Sequence, residues 1–128
     1  MKNIAFLIAA FALIVSFASC TQTEVGLTKP TVMLHQPTAS MYNSGDTVWI
    51  EAHYEDTEHL NEYHLAVQNT TDTVEVLHLH GHSHMMHMHI DTFIVPTVST
   101  HTDYTVEARA TNDNNQSNTV THSFHVMP

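Results

Sequence analysis

Apolar and polar residues alternate one by one along much of the chain after residue 30. The pattern is clearest in 48–54 and in 104–110, where every second residue is apolar. A period of two is typical of a β-strand with one buried face. The alternation predicts seven strands, which lie at 32–34, 48–54, 63–67, 74–80, 87–95, 103–111 and 118–126.

Clusters of turn-forming residues separate these segments. Asn, Asp, Ser, Thr or Gly fill residues 43–46, 69–72 and 112–115, and only residues 56–61 have a composition compatible with a helical turn. Short strands with regular turns predict an all-β fold, a seven-stranded antiparallel immunoglobulin-like β-sandwich over residues 30–128. It would lack the disulfide of antibody domains, because the chain has one cysteine.

The N-terminus has the pattern of a cleaved signal peptide. Lys2 precedes an apolar run at 4–15, and small residues stand directly before Cys20. The apolar run is shorter than the roughly 20 residues that a membrane-spanning helix needs. We therefore expect a signal peptide at 1–19, a flexible lipidated tether at 20–29 and the folded domain at 30–128.

Cys20 and the residues before it resemble the lipobox of bacterial lipoproteins. The resemblance implies a diacylglycerol on the Cys20 sulfur and a protein anchored to a membrane by its lipid. We expect it in the cell envelope, on the outer membrane, with either the periplasm or the exterior as the side it faces. Ordinary secretion with a free thiol is the alternative.

Negative charge dominates the part of the chain after Cys20. The sequence has thirteen Asp and Glu residues and three Lys and Arg residues, and only Lys29 and Arg109 lie after the signal peptide. Such a surface repels phosphate backbones, so we expect no nucleic-acid binding. Thirteen histidines, with an ordinary pKa of about 6.5, make the charge depend on pH.

The most unusual segment is a histidine-rich stretch at 76–90, where six of fifteen residues are histidine. Alternation places two histidines on one face of each flanking strand, and the strands are predicted to pair as an antiparallel hairpin with residues 81–84 in its loop. Four imidazoles would then share one face, and two more would lie in the loop. The predicted metal ligands are His78, His80, His82, His84, His87 and His89.

The ion predicted for this hairpin is zinc or copper. Opposed residues in a sheet have Cβ atoms about 4.5–5.5 Å apart, which lets two imidazoles reach one ion. Imidazole suits both metals, whereas the thioethers of Met85, Met86 and Met88 favour cuprous copper. The alternative is a solvated polar face without metal.

Other histidines and carboxylates are weaker candidates. His122 is predicted to be a partly buried, hydrogen-bonded imidazole, and His53, His64 and His125 to face outward. The acidic stretch 53–59 offers oxygen ligands for calcium, but its spacing differs from an EF-hand and a solvated acidic loop is the simpler interpretation.

The segment GDTVWIEAHYED at 45–56, followed by HLNEYHLAV at 59–67, resembles a family of uncharacterised bacterial lipoproteins. These have a single immunoglobulin-like domain and a histidine-containing loop. The resemblance implies that Gly45 and Asp46 form a turn at the entry of a strand. It implies no catalytic residue.

Three classes of function follow from these patterns. The leading hypothesis is a membrane-anchored lipoprotein that captures, buffers or hands over zinc or copper. The alternative is a non-catalytic interaction or scaffolding module, whose partner would be another envelope protein or an outer-membrane transporter. His78-Leu79-His80 has a short similarity to copper–zinc superoxide dismutase, but there is no nucleophile motif such as G-x-S-x-G, so we expect no enzyme.

Overall fold

A computed structural model describes residues 28–128, and in this range the chain forms eight strands in two sheets. The predicted all-β fold is confirmed. The predicted signal peptide, Cys20 and most of the tether lie outside the described residues. The strands are β1 (Thr31–Gln36), β2 (Met41–Asn43), β3 (Val48–Glu55), β4 (Leu60–Asn69), β5 (Val74–His82), β6 (His87–Ile94), β7 (Thr102–Asn112) and β8 (Ser117–Met127).

The strand count of seven was wrong, because β2 has no counterpart in the sequence pattern. This strand is three residues long, too short to display an alternation, and it pairs in parallel with β8 at the edge of a sheet. The other strand pairs are antiparallel. One sheet has the order β1-β3-β6 and the other the order β2-β8-β7-β4-β5.

The core lies between the two sheets, as in a β-sandwich. Ile50 and Tyr54 from β3 and Phe124 from β8 are almost completely buried, and residues of both sheets form one apolar cluster. Burying a large aliphatic or aromatic side chain contributes about 1.5–3 kcal/mol. The Tyr54 hydroxyl donates a hydrogen bond to the carbonyl oxygen of His64 at 3.1 Å, and burial raises the pKa of Tyr54. This hydroxyl is therefore a neutral donor linking the sheets.

The turns at 43–46, 69–72 and 112–115 are confirmed. In the first, the amide of Asp46 donates to the carbonyl of Asn43, and in the last the amide of Asn115 donates to the carbonyl of Asn112. Asn112 is buried, and its amide nitrogen donates to the Thr28 carbonyl at 2.9 Å and to Asp56 at 3.1 Å. Its side-chain oxygen accepts two backbone amides, so this residue fixes the start of β1 against the β7–β8 turn.

The helical turn suggested at 56–61 was wrong. Residues 57 and 58 form a bend, and the Asp56 carboxylate accepts the amide of Glu58 at 2.8 Å. The backbone amides of Asp56 and Leu60 donate to the carbonyls of Met86 and Met85. Because these groups bond to the β5–β6 connection, they are not available for helical hydrogen bonds.

The predicted hairpin of the two histidine-bearing strands was also wrong. β5 pairs with β4 in the five-stranded sheet, whereas β6 pairs with β3 in the three-stranded sheet. The connection at 83–86 crosses between the sheets and is held by residues 56–61, where the amide of Ser83 donates to the carbonyl of Asn61. Leu77 and Leu79 thus face Met88 and Ile90 across the core, and the histidines of the two strands project from opposite sides of the molecule.

Candidate metal centre

The six predicted ligands are divided among three places. His78, His80 and His82 lie on the outer face of the five-stranded sheet, and His87 and His89 lie on the outer face of the three-stranded sheet. His84 is exposed in the connection between them. The structure therefore does not bring them together as one shell, and their individual ability to bind metal stays a prediction.

On the five-stranded sheet, each β5 histidine lies beside a partner on the same face. His80 Nε2 donates to Glu62 Oε1 at 2.6 Å, and this hydrogen bond holds the pKa of Glu62 below its ordinary value. His78 Nδ1 lies 3.0 Å from Glu75 Oε1, and the ring of His82 lies 5.9 Å from that of His80. These histidines form a row rather than a convergent shell.

His64 of β4 adds a fourth imidazole to this row. It faces outward, as predicted, but is half-buried, and its ring centroid lies 4.7 Å from that of His78. Its Nδ1 is buried without a hydrogen bond, 3.7 Å from Glu107 Oε1. Burial, and next the positive charge on His78, lower the pKa of His64. The ring is therefore held as the neutral imidazole over a wider pH range than usual.

A convergent group lies on the outer face of the three-stranded sheet, where Glu51 and His53 of β3 meet His89 of β6. Their ligand atoms all lie within 4.8 Å of one another. The antiparallel register sets His53 directly opposite His89, and their ring centroids are 4.2 Å apart. We refer to Glu51, His53 and His89 as the β3–β6 site.

The central residue of the β3–β6 site is His53. Its Nε2 is buried and has no hydrogen-bond partner, and the nearest carboxylate oxygen, Oε1 of Glu51, is 3.8 Å away. The same oxygen lies 3.4 Å from His89 Nε2. The side chains of His53 and Glu51 are only about one-third exposed, at 34% and 33%. A buried polar atom left unpaired costs about 1–3 kcal/mol, so this nitrogen is a candidate for a ligand bond.

Three further side chains surround this group. Asp91 places Oδ1 3.2 Å from His89 Nε2, and the ring of His35 from β1 lies 4.7 Å from that of His53. Met33 pairs with His53 in the β1–β3 register and shares its face. A cavity of about 410 Å³ opens beside the carboxylates and is lined by Gln36, Trp49, Ile50, Glu51 and Asp91.

Sequence reasoning missed Glu51 and His53 as ligands because it paired β6 with the wrong strand. Both residues were visible on the polar face of the alternating segment 48–54. Pairing that segment with β6 would have found them. Met88, one of the thioethers expected to favour cuprous copper, packs against the core and is turned away from the site.

A second convergent group lies on the outer face of the five-stranded sheet, at His101, Asp103 and His125. His125 Nδ1 donates to Asp103 Oδ1 at 2.7 Å, and His101 Nε2 lies 3.1 Å from the same oxygen. The hydrogen bond from His125 is the largest cause that lowers the pKa of Asp103. None of these residues was a predicted ligand, because they are far from the histidine-rich stretch in sequence.

The remaining sequence candidates have ordinary structural roles. His122 is half-buried, with Nε2 3.5 Å from the Ala39 carbonyl. Asp56 of the acidic stretch is buried and hydrogen-bonded to Glu58 and Asn112. Within residues 28–128, no helix is long and apolar enough to cross a membrane.

No protein-family model matches the sequence, and no curated protein is found to be similar to it. The metal-binding interpretation therefore depends on the residues themselves.

Proposed function

We propose that this protein is an exported, membrane-anchored lipoprotein that binds zinc or copper at the β3–β6 site, for capture, buffering or handover of the ion. The observation that carries the proposal is the buried, unpartnered Nε2 of His53, which faces Glu51 and His89. The histidine-rich strands predicted from the sequence contribute through His89.

The distances in the site support one shared ion. Zinc binds imidazole nitrogen and carboxylate oxygen at about 2.0–2.2 Å, and a tetrahedron with such bonds has ligand-to-ligand edges of about 3.3–3.6 Å. Glu51 Oε1 is 3.4 Å from His89 Nε2 and 3.8 Å from His53 Nε2. The first separation already matches such an edge, and the second exceeds it by about 0.2 Å.

The ligand types favour a divalent ion. Two imidazoles and a carboxylate suit zinc and cupric copper, whereas cuprous copper prefers thiolates and thioethers. Asp91 is the natural fourth ligand because it already lies 3.2 Å from His89. Glu51 and Asp91 place two negative charges near each other at this site. The positive charge of a bound ion lowers the repulsion between them.

The cellular setting and the finer fold class are part of the proposal. The signal peptide and the lipid on Cys20 rest on the N-terminal sequence pattern. The pairing of β1-β3-β6 against β2-β8-β7-β4-β5 supports an immunoglobulin-like topology, since it corresponds to strands A, B and E against A′, G, F, C and C′. The receiver of the ion would be another envelope protein or an outer-membrane transporter.

One observation favours the alternative function, an interaction module. Trp49 and Phe93 are 57% and 51% exposed on the outer face of the three-stranded sheet, and their rings lie 5.3 Å apart. Exposed aromatic residues are enriched at protein interfaces. If the protein binds a partner through Trp49 and Phe93, replacement of His53 and His89 would leave partner binding intact.

Calorimetric titration of the untagged full chain in mild detergent tests the metal-binding proposal. Zinc and cupric copper are titrated separately into the wild type, into H53A/H89A and into the control H59A/H122A, which changes two histidines that are neither predicted ligands nor part of a convergent group. We expect the site variant to lose one bound ion and the control to keep it. Equal binding by all three proteins would overturn the assignment.

A further inference from the structure

The second convergent group has two imidazoles and one carboxylate, as the β3–β6 site does, and it lies on the other sheet. His101 precedes β7, Asp103 lies near the start of β7, and His125 lies near the end of β8. Asp103 and His125 are direct partners in the β7–β8 register and both are exposed on the outer face. Two imidazoles thus converge on one carboxylate oxygen, at 2.7 and 3.1 Å.

The backbone of Asp103 is fixed by the neighbouring turn. Its amide donates to the Thr71 hydroxyl at 2.9 Å. Its carbonyl accepts the amide and the hydroxyl of Thr70, at 2.8 and 3.1 Å. The carboxylate therefore starts from a rigid position, and binding an ion requires little ordering of the main chain.

A thioether lies on the strand next to His125. Met41 of β2 is the parallel-register partner of His125, so both side chains share the outer face, and Met41 is strongly exposed. Imidazole nitrogens suit cupric copper in a tetragonal site, and a thioether can serve as its weak axial ligand. Zinc gains little from a thioether, so Met41 favours copper over zinc, and the carboxylate of Asp103 favours the cupric over the cuprous ion.

We propose that His101, Asp103 and His125, with Met41 as an additional ligand, form a second metal site that takes cupric copper. This inference builds on the proposed function, because it makes the protein a carrier of two ions. The two sites lie on the outer faces of different sheets, so they share no ligand and bind independently. In this second site the ion replaces the protons that now link the imidazoles to Asp103.

Cupric copper titration of the untagged full chain, followed by calorimetry and by electron paramagnetic resonance, tests the second site. The wild type is expected to bind two copper ions, and H101A/H125A and H53A/H89A one each. The control H59A/H122A should bind two. M41A is expected to weaken copper binding at the second site several-fold and to leave zinc binding unchanged.

The outcomes separate the two proposals. If H101A/H125A binds as many copper ions as the wild type, the second site is wrong, whatever the result for H53A/H89A. If H53A/H89A loses no ion while H101A/H125A loses one, the second site stands and the β3–β6 site is wrong. D103N provides a further check, because it keeps the shape of the side chain but removes the charge, and it should weaken copper binding at this site.

Discussion

Replacing Gly81 by alanine should destabilise the protein, because a ring already covers the position. Gly81 lies in β5 opposite Tyr63 of β4, and an added Cβ would stand 2.7–2.9 Å from three atoms of the Tyr63 ring and hydroxyl. Ordinary contact begins near 3.4 Å, so the side chain must withdraw by about 0.5–0.7 Å. Overpacking costs about 1–3 kcal/mol, and alanine recovers about 0.5–1 kcal/mol in a strand.

The net loss of unfolding free energy is therefore centred on about 1 kcal/mol, or a fall in Tm of roughly 4–8 °C for a domain of this size. Thermal unfolding followed by circular dichroism measures it. G81A should cost somewhat less in a Y63F background, which removes the hydroxyl but keeps the ring, and little in Y63A, which removes both. A Tm for G81A equal to that of the wild type would refute the packing argument.

Three further predictions concern single side chains. Because burial lowers the pKa of His64, the folded protein resists its protonation. The contribution of His64 to stability is full above the ordinary histidine pKa of about 6.5 and is lost as the pH drops below it. The urea midpoint of the metal-free protein should therefore decrease when the pH is lowered from about 7.5 to about 5.5. The midpoint of H64Q should decrease less over the same range, and an equal decrease would contradict the role of His64. N112A removes four hydrogen bonds at a buried position, so it should lower the unfolding free energy by about 1–3 kcal/mol in urea titration; no change would contradict that role. Thr73 has a φ of 59°, which is costly for a β-branched residue, so T73N should raise the unfolding free energy by about 1 kcal/mol, and a lower Tm would contradict it.

The strands could be predicted from the sequence because the alternation of apolar and polar residues within a segment is enough to show that one face of the strand is buried. Six of the seven predicted segments include at least five residues that lie in observed strands, and turn residues mark the gaps between them. The short strand β2 could not be found in this way. Its three residues are held by pairing with β8, a contact between residues far apart in the chain.

The candidate site was predicted in part. The histidine faces of β5 and β6 follow from alternation, but the identity of each strand's partner does not. A four-residue connection is compatible with a hairpin or with a crossing between sheets. The hydrogen bonds that decide it come from residues 56–61, more than twenty positions earlier. This is why His89 was identified while Glu51 and His53 were missed.

The most direct test of the central claim is a crystal structure of the full chain grown with zinc, with diffraction data measured on both sides of the zinc absorption edge. We expect an anomalous peak between Glu51, His53 and His89, with metal–ligand distances of about 2.0–2.2 Å. A peak confined to the β5 row of His78, His80 and His82, or no peak on the three-stranded sheet at saturating zinc, would contradict it.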